Sequence, residues 1–410
     1  MLTVSQRPLI VMLLLAMVGL YGCGKGSGEQ LSGSGPARKL APVDAQGAVS
    51  VATRNTTRLG GADVAADAAA VARAVYPGLT PATRPQAVVL VNERNWLPAL
   101  AASVLSSAPA GAPILYSEGE TLPAVSRQTL EAMHPLGAPT LGGAQVIRIG
   151  TSAALPSGYI TRTVPAAAPS VTAAAVERLL LTLDRGNAPR QVIVLAANAP
   201  PALEMPAAGL AAESGAPILF VTPPHVSAAT TSVLTGLHRP SIYVIDPAAL
   251  GARMLHDLHH YGPVRSITSA ALPSAGDAAV QNAIEVARFT DGTFGWGVKE
   301  PGHGLVFANE GRPLDAPASA LLSATGDYGP LLLLGVASKV PPALVNYLSD
   351  IQPAYTNAPQ FQPVRGVYNH GWLIGDERAI SAVSQAEIDS ILEISSRSQS
   401  SEETSDSQVE

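Results

Sequence analysis

The sequence predicts an α/β protein of three tandem Rossmann-like modules, each built on a parallel sheet, and three observations lead there. A phrase consisting of a buried-strand signature, a helical stretch and a second strand entered through Gly-Pro or Ala-Pro recurs at 87–116, 191–220 and 304–334. The strand cores of this phrase are apolar without alternation, as in strands covered on both faces. Between its two strands there is room for a crossover helix, which parallel pairing requires. Pro113 and Pro217 are 104 residues apart, and Pro217 and Pro330 are 113 apart. That period exceeds the ~20–50 residues of a solenoid repeat and suits a small domain used three times.

The chain opens on an export signal. Arg7 precedes the apolar run LIVMLLLAMVGL, which ends at Leu20-Tyr21-Gly22-Cys23, the last of these being the only cysteine. Leu-x-Gly-Cys resembles the bacterial lipobox, which implies a signal peptide over 1–22, cleavage before Cys23 and diacylglycerol on its sulfur. The competing reading is a single transmembrane anchor, for which the run falls short of the ~20 residues a bilayer needs. Residues 23–55 are rich in Gly, Ser and Pro and read as a flexible tether. The far end, 393–410, is polar and acidic and reads as a disordered tail.

Three repeats fill the interval, at 56–162, 163–263 and 264–392. A helix leads each: Asp63 to Val75, Val171 to Leu183, and Asp277 to Phe289. First strands follow at Val88–Val91, Val192–Leu195 and Leu305–Phe307, and second strands at Ile114–Tyr116, Ile218–Val221 and Leu331–Leu334. Further helices start near Pro123, at Ser227 as N-cap, and at Pro341-Pro342. Third strands are expected at Val146–Ile149, Ile242–Ile245 and Gly366–Tyr368.

Composition narrows the function. The 410 residues are 47% hydrophobic, 14% charged and 4% aromatic, with a net charge of −6. The acidic tail accounts for four of those charges and Arg7 offsets one, so 23–392 carries only −3. No broad basic field exists, which argues against a nucleic-acid partner.

These strands, the proline-marked helix starts and the Pro-Ile-Leu strand entry resemble the cell-wall-binding type 2 repeat of bacterial surface proteins. The matching entries are Pro113, Ile114 and Leu115; Pro217, Ile218 and Leu219; and, with leucine for isoleucine, Pro330, Leu331 and Leu332. Arg58-Leu59-Gly60-Gly61-Ala62-Asp63 resembles the family's opening, and Trp96-Leu97-Pro98-Ala99-Leu100-Ala101 its first crossover helix. The usual acidic residue is missing at Ala99, while Glu204 and Asp315 precede Pro206 and Pro317. The resemblance covers roughly 56–392. It implies three modules around a pseudo-threefold axis that hold a noncatalytic protein to an anionic cell-wall polymer. By their residue type, the Pro-entry positions read as core packing rather than ligand contacts.

Ligands of open parallel sheets meet the loops leaving the carboxyl ends of strands. After the first strands these loops supply Asn92, Arg94 and Asn95, then Asn198, then Asn309, Glu310 and Arg312. Asparagine and arginine suit sugar hydroxyls and anionic groups, but each asparagine equally suits a turn or helix cap.

Catalytic motifs are missing: there is no Gly-x-Ser-x-Gly, no His-Glu-x-x-His and no phosphate loop, so neither enzyme activity nor a cofactor is expected. His256 and His260 in HDLHHY can present two imidazoles on one helical turn, but no third ligand is specified and no metal is expected. The glycine-rich 292–304 precedes a strand and reads as a loop around Trp296. Trp96, Trp296 and Trp372 suit either sugar stacking or the core. The expected protein is thus a lipid-anchored envelope protein with two partners, a wall or surface polysaccharide and the bilayer. The alternative is a solute-binding lipoprotein that serves a transporter.

Overall fold

The computed structural model describes residues 48–271, 277–324, 328–354 and 368–394. The expected export signal, Cys23, most of the expected tether and the expected tail from 395 onward lie outside these residues. The last part of the expected tether is a strand, β1 (Ala48–Ala52), antiparallel to β2 (Thr56–Gly61). Its Ala-Val-Ser-Val-Ala alternation, with two β-branched residues, favours extended pairing over coil.

Next come α1 (Val64–Val75), β3 (Val88–Asn92), α2 (Trp96–Ala102), β4 (Ile114–Ser117), α3 (Ala124–Met133), β5 (Val146–Ile149) and β6 (Thr161–Val164). Asp63 caps α1 by accepting from the Ala66 N–H at 2.9 Å. The middle of the chain holds α4 (Pro169–Leu183), β7 (Gln191–Ala196), α5 (Pro201–Glu204), α6 (Pro206–Ser214), β8 (Ile218–Val221), α7 (Ala228–Gly236), β9 (Ser241–Val244), α8 (Pro247–Leu258) and β10 (Val264–Ser266). Ser227 caps α7 through the Thr230 N–H, as expected. The remainder is α9 (Ala278–Arg288), β11 (Gly304–Asn309), α10 (Asp315–Ser323), β12 (Tyr328–Leu334), α11 (Pro342–Asp350), β13 (His370–Ile374) and α12 (Ala382–Leu392).

One strand expectation is corrected. Of Gly366–Tyr368, only Tyr368 is described, and it belongs to no strand; the third strand of the last module is β13. His370, Gly371 and Trp372 break its apolar run, leaving Leu373 and Ile374 as the only aliphatic pair.

Three sheets share one strand order. They run β4-β3-β5-β6, β8-β7-β9-β10 and β12-β11-β13-β2, with β1 added beyond β2. Every pairing is parallel except that of β1 with β2. The fourth strand of each sheet leads into a helix that packs on the next sheet: α4 on β8, α9 on β12, and α1 on β4. Sequence repeats and sheets are therefore offset by one strand. The segment 56–61, which opens the first sequence repeat, completes the third sheet, and the expected boundary at 162/163 falls inside β6.

Arg58 of β2 helps fix this closure. Its buried guanidinium donates to the Gly375 carbonyl (2.9 Å), the Ile380 carbonyl (2.6 Å) and Gln385 Oε1 (3.1 Å). Burial lowers its pKa while Glu377 and Asp376 oppose that shift. Three acceptors around one cation supply what desolvation removes.

The alanine-rich composition has a geometric cause. The crossover helices touch one another, α6 against α10 and against the 3-10 turn Ser103–Ser106. The buried faces carry Ala207, Ala208 and Ala211 on one side and Ala316 and Ala320 on the other. A Cβ added at Gly209 would lie 2.6 Å from Ser323 Oγ, so these backbones approach closer than larger residues permit. One apolar core runs through all three sheets, and a second lies around the third sheet with α9, α11 and α12.

Candidate functional site

The loops after β3 and β11 meet beside the start of α1 in a cleft of about 430 Å³, lined by Asp63, Glu93, Arg94, Arg312 and Leu314 among others. Two of the sequence-predicted residues, Arg94 and Arg312, come together here from different modules, at the carboxyl ends of parallel strands. Arg94 is exposed. The Glu93 carboxyl is pushed upward by burial and by Glu118 and Asp63, with Arg94 acting against them.

Arg312 is only partly accessible, because it pairs with two buried carboxyls beneath the cleft. Its guanidinium contacts Asp67 of α1 and donates through Nε to Asp315 Oδ2 at 2.8 Å. Asp67 also accepts from the Gly61 N–H at 2.7 Å. One guanidinium balances only one carboxylate, so burial drives the pair to keep a proton near neutrality. Burial first, then the Asp315 charge, push Asp67 up to about 8 against the pull of Arg312. Burial likewise raises Asp315, again opposed by Arg312. Burial works to lower Arg312, but Asp315 and Asp67 outweigh it and hold the residue above its ordinary range. Tyr116 of β4 adds a neutral link across the junction, donating its hydroxyl to the Leu314 carbonyl at 2.7 Å.

The asparagines mainly shape their loops. Asn92 Oδ1 accepts from the Arg94 N–H at 3.1 Å, and Asn95 Nδ2 donates to the Gly150 carbonyl at 3.3 Å. Asn309 accepts from the Gly311 N–H and donates to the Ala379 carbonyl, both at 2.9 Å. The Glu310 carboxyl is pushed upward by burial and then by the charge of Asp277, the residue before α9. Asn198 is exposed and is not brought to the cleft. Pro113, Ile114, Leu115, Pro217, Ile218, Leu219, Pro330, Leu331 and Leu332 are all buried.

At the position corresponding to Asp315, the second module carries Glu204, and here no arginine answers it. The residue three before Asp315 is Arg312, whereas the residue three before Glu204 is Pro201. Glu204 is 1% exposed, and among the described residues neither carboxyl oxygen has a hydrogen-bond partner. Burial, then the Asp246 charge, push it up to about 9.

The tryptophans Trp96, Trp296 and Trp372 are half-buried against the core. In the glycine-rich segment Phe294 stacks on Tyr243 with centroids 3.9 Å apart. The Tyr243 hydroxyl donates to Asp291 at 2.7 Å, and Arg265 pairs with the same carboxylate, so this loop clasps the second module to the third. Asp67 was not legible as part of the cleft. Its one signal is a lone carboxylate among the alanines and valines of the buried face of α1.

The class this fold defines is an α/β protein of three Rossmann-like sheets. Among solved structures, two Clostridium difficile cell wall proteins are similar. Cwp8 gives a TM-score of 0.61 at 15% identity, over 83% of this chain and 52% of its own. Cwp6 gives 0.61 at 17% identity, over 84% of this chain and 51% of its own. The chain spans about half the length of these proteins, and at such identity the likeness is one of fold. No family model and no curated protein matches the sequence.

Proposed function

We propose that the protein is a noncatalytic, exported envelope protein, tethered to a membrane through lipid on Cys23, that binds an anionic wall or surface polysaccharide at the cleft between its first and third modules. The observation that carries this reading is Arg94: an exposed guanidinium at the carboxyl end of β3, on the lip of a cleft large enough for a sugar unit. A guanidinium grips carboxylate or phosphate in bidentate fashion. The fold likeness to cell wall proteins supports the setting, and the Leu-x-Gly-Cys sequence supports the anchor. Arg312 takes the supporting role of holding the cleft floor rather than the ligand, since its donors already serve Asp67 and Asp315.

Cosedimentation with isolated envelope polysaccharide tests the reading. Binding is expected to weaken with salt. Arg94→Ala is expected to lower affinity roughly tenfold or more, the worth of a charge-assisted hydrogen bond, with stability unchanged. Absence of binding to any envelope fraction at low salt refutes it.

A further inference from the structure

We propose that His256 and His260 form a chelating site for a borderline divalent transition-metal ion, of the Zn²⁺, Ni²⁺ or Cu²⁺ class, at the carboxyl end of α8. His256 lies in the last turn of α8 and His260 in the turn just beyond its end, where the His259 N–H bonds to the His256 carbonyl and the His260 N–H to the Asp257 carbonyl. Both are exposed, and their rings stand edge to face with centroids 5.8 Å apart.

That separation suits one shared ion. Metal–imidazole bonds of ~2.0–2.1 Å place the ion roughly 3.2 Å from a ring centroid, so one ion reaches both rings up to about 6.4 Å apart, and tetrahedral geometry needs about 5.2 Å. The observed 5.8 Å lies between these two values, and the edge-to-face rings must turn so that one nitrogen of each faces the ion. Neither ring is held by a hydrogen bond to another described residue, so no existing bond must break first.

The local field is mixed. The carbonyl end of the last stretch of α8, which follows a break at Gly251, and the neighbouring Asp257 favour a cation. Arg253, one turn back, opposes it, as does Arg239, whose guanidinium lies 3.5 Å from the His260 carbonyl. Binding therefore rests on the metal–nitrogen bonds. His259 lies in the same turn, but among the described residues no set of three donors gathers, so water completes the coordination. A two-imidazole site with open positions is exchangeable, and the bound ion can accept a donor from a second molecule.

Calorimetric titration of the untagged protein with Ni²⁺ or Zn²⁺ tests this. One equivalent is expected to bind at micromolar concentration, with Cu²⁺ tighter than Ni²⁺ and no heat from Mg²⁺. His256→Ala and His260→Ala should each weaken binding by roughly a hundredfold or more, because the second bond of a chelate forms intramolecularly. His259→Ala should leave it unchanged. All three replacements are on the surface, and circular dichroism checks that each variant is folded. No saturable heat at millimolar metal overturns the proposal, as does stoichiometric binding that persists in the double variant or fails equally in His259→Ala.

Discussion

Replacing Glu204 by glutamine removes a carboxyl that the fold buries with no hydrogen-bond partner among the described residues, and the pH dependence of stability should change with it. In the folded protein its pKa rises from 4.5 to about 9. Below pH 4.5 the group is protonated in both states and contributes no difference. As pH rises from there, the unfolded chain releases the proton while the folded chain keeps it, so stability falls by roughly 1.4 kcal/mol per pH unit until the folded group also ionises near 9. At pH 7 the accumulated penalty is about 3 kcal/mol. Glutamine is neutral at every pH and carries none of it. Urea unfolding of wild type and Glu204→Gln between pH 5 and 8 isolates the effect, because Asp67 and Asp315 titrate in both proteins and cancel in the difference. The variant should gain on wild type steadily with rising pH. A difference that stays constant from pH 5 to 8 would show that Glu204 is ionised or solvated in the native state, and the reasoning would fail.

Arg312→Ala should cost about 3–5 kcal/mol, since it strands two buried carboxyls without their cation; the loss should be larger at pH 8 than at pH 6, and Asp315→Asn should be milder, as denaturant midpoints will show. Gly209→Ala should destabilise by about 1–3 kcal/mol through overpacking, offset in part by the ~1 kcal/mol helix preference of alanine. Adding Ser323→Ala should recover much of that loss in thermal unfolding, because Ser323 Oγ is the first atom met, at 2.6 Å.

Strands such as Val192–Leu195 were legible because a both-faces-buried strand writes itself as an unbroken apolar run. β13 was not, since glycine, histidine and tryptophan interrupt the aliphatic run that marks such a strand. β1 was hidden by its glycine- and serine-rich surroundings. The membership of Thr56–Gly61 in the last sheet could not be read at all, because nothing local in a strand names a partner hundreds of residues away. The same limit governs the cleft. Arg94 follows a strand and was found by that rule, whereas the bond from Arg312 to Asp67 spans 245 positions. Burial turned an arginine expected to grip a ligand into one that holds two carboxyls.

Pairing β2 with β13 sets an order of events for the nascent polypeptide. Leu59 is made early, yet its neighbour across the ladder is Ile374. Until that late segment arrives, an early strand waits with an open edge, exposed to the wrong partners that unpaired edges invite. A product that stops between residues 267 and 369 can complete two sheets but never the third, so quality control that senses the unfinished edge would discard such truncated copies while sparing the full-length chain.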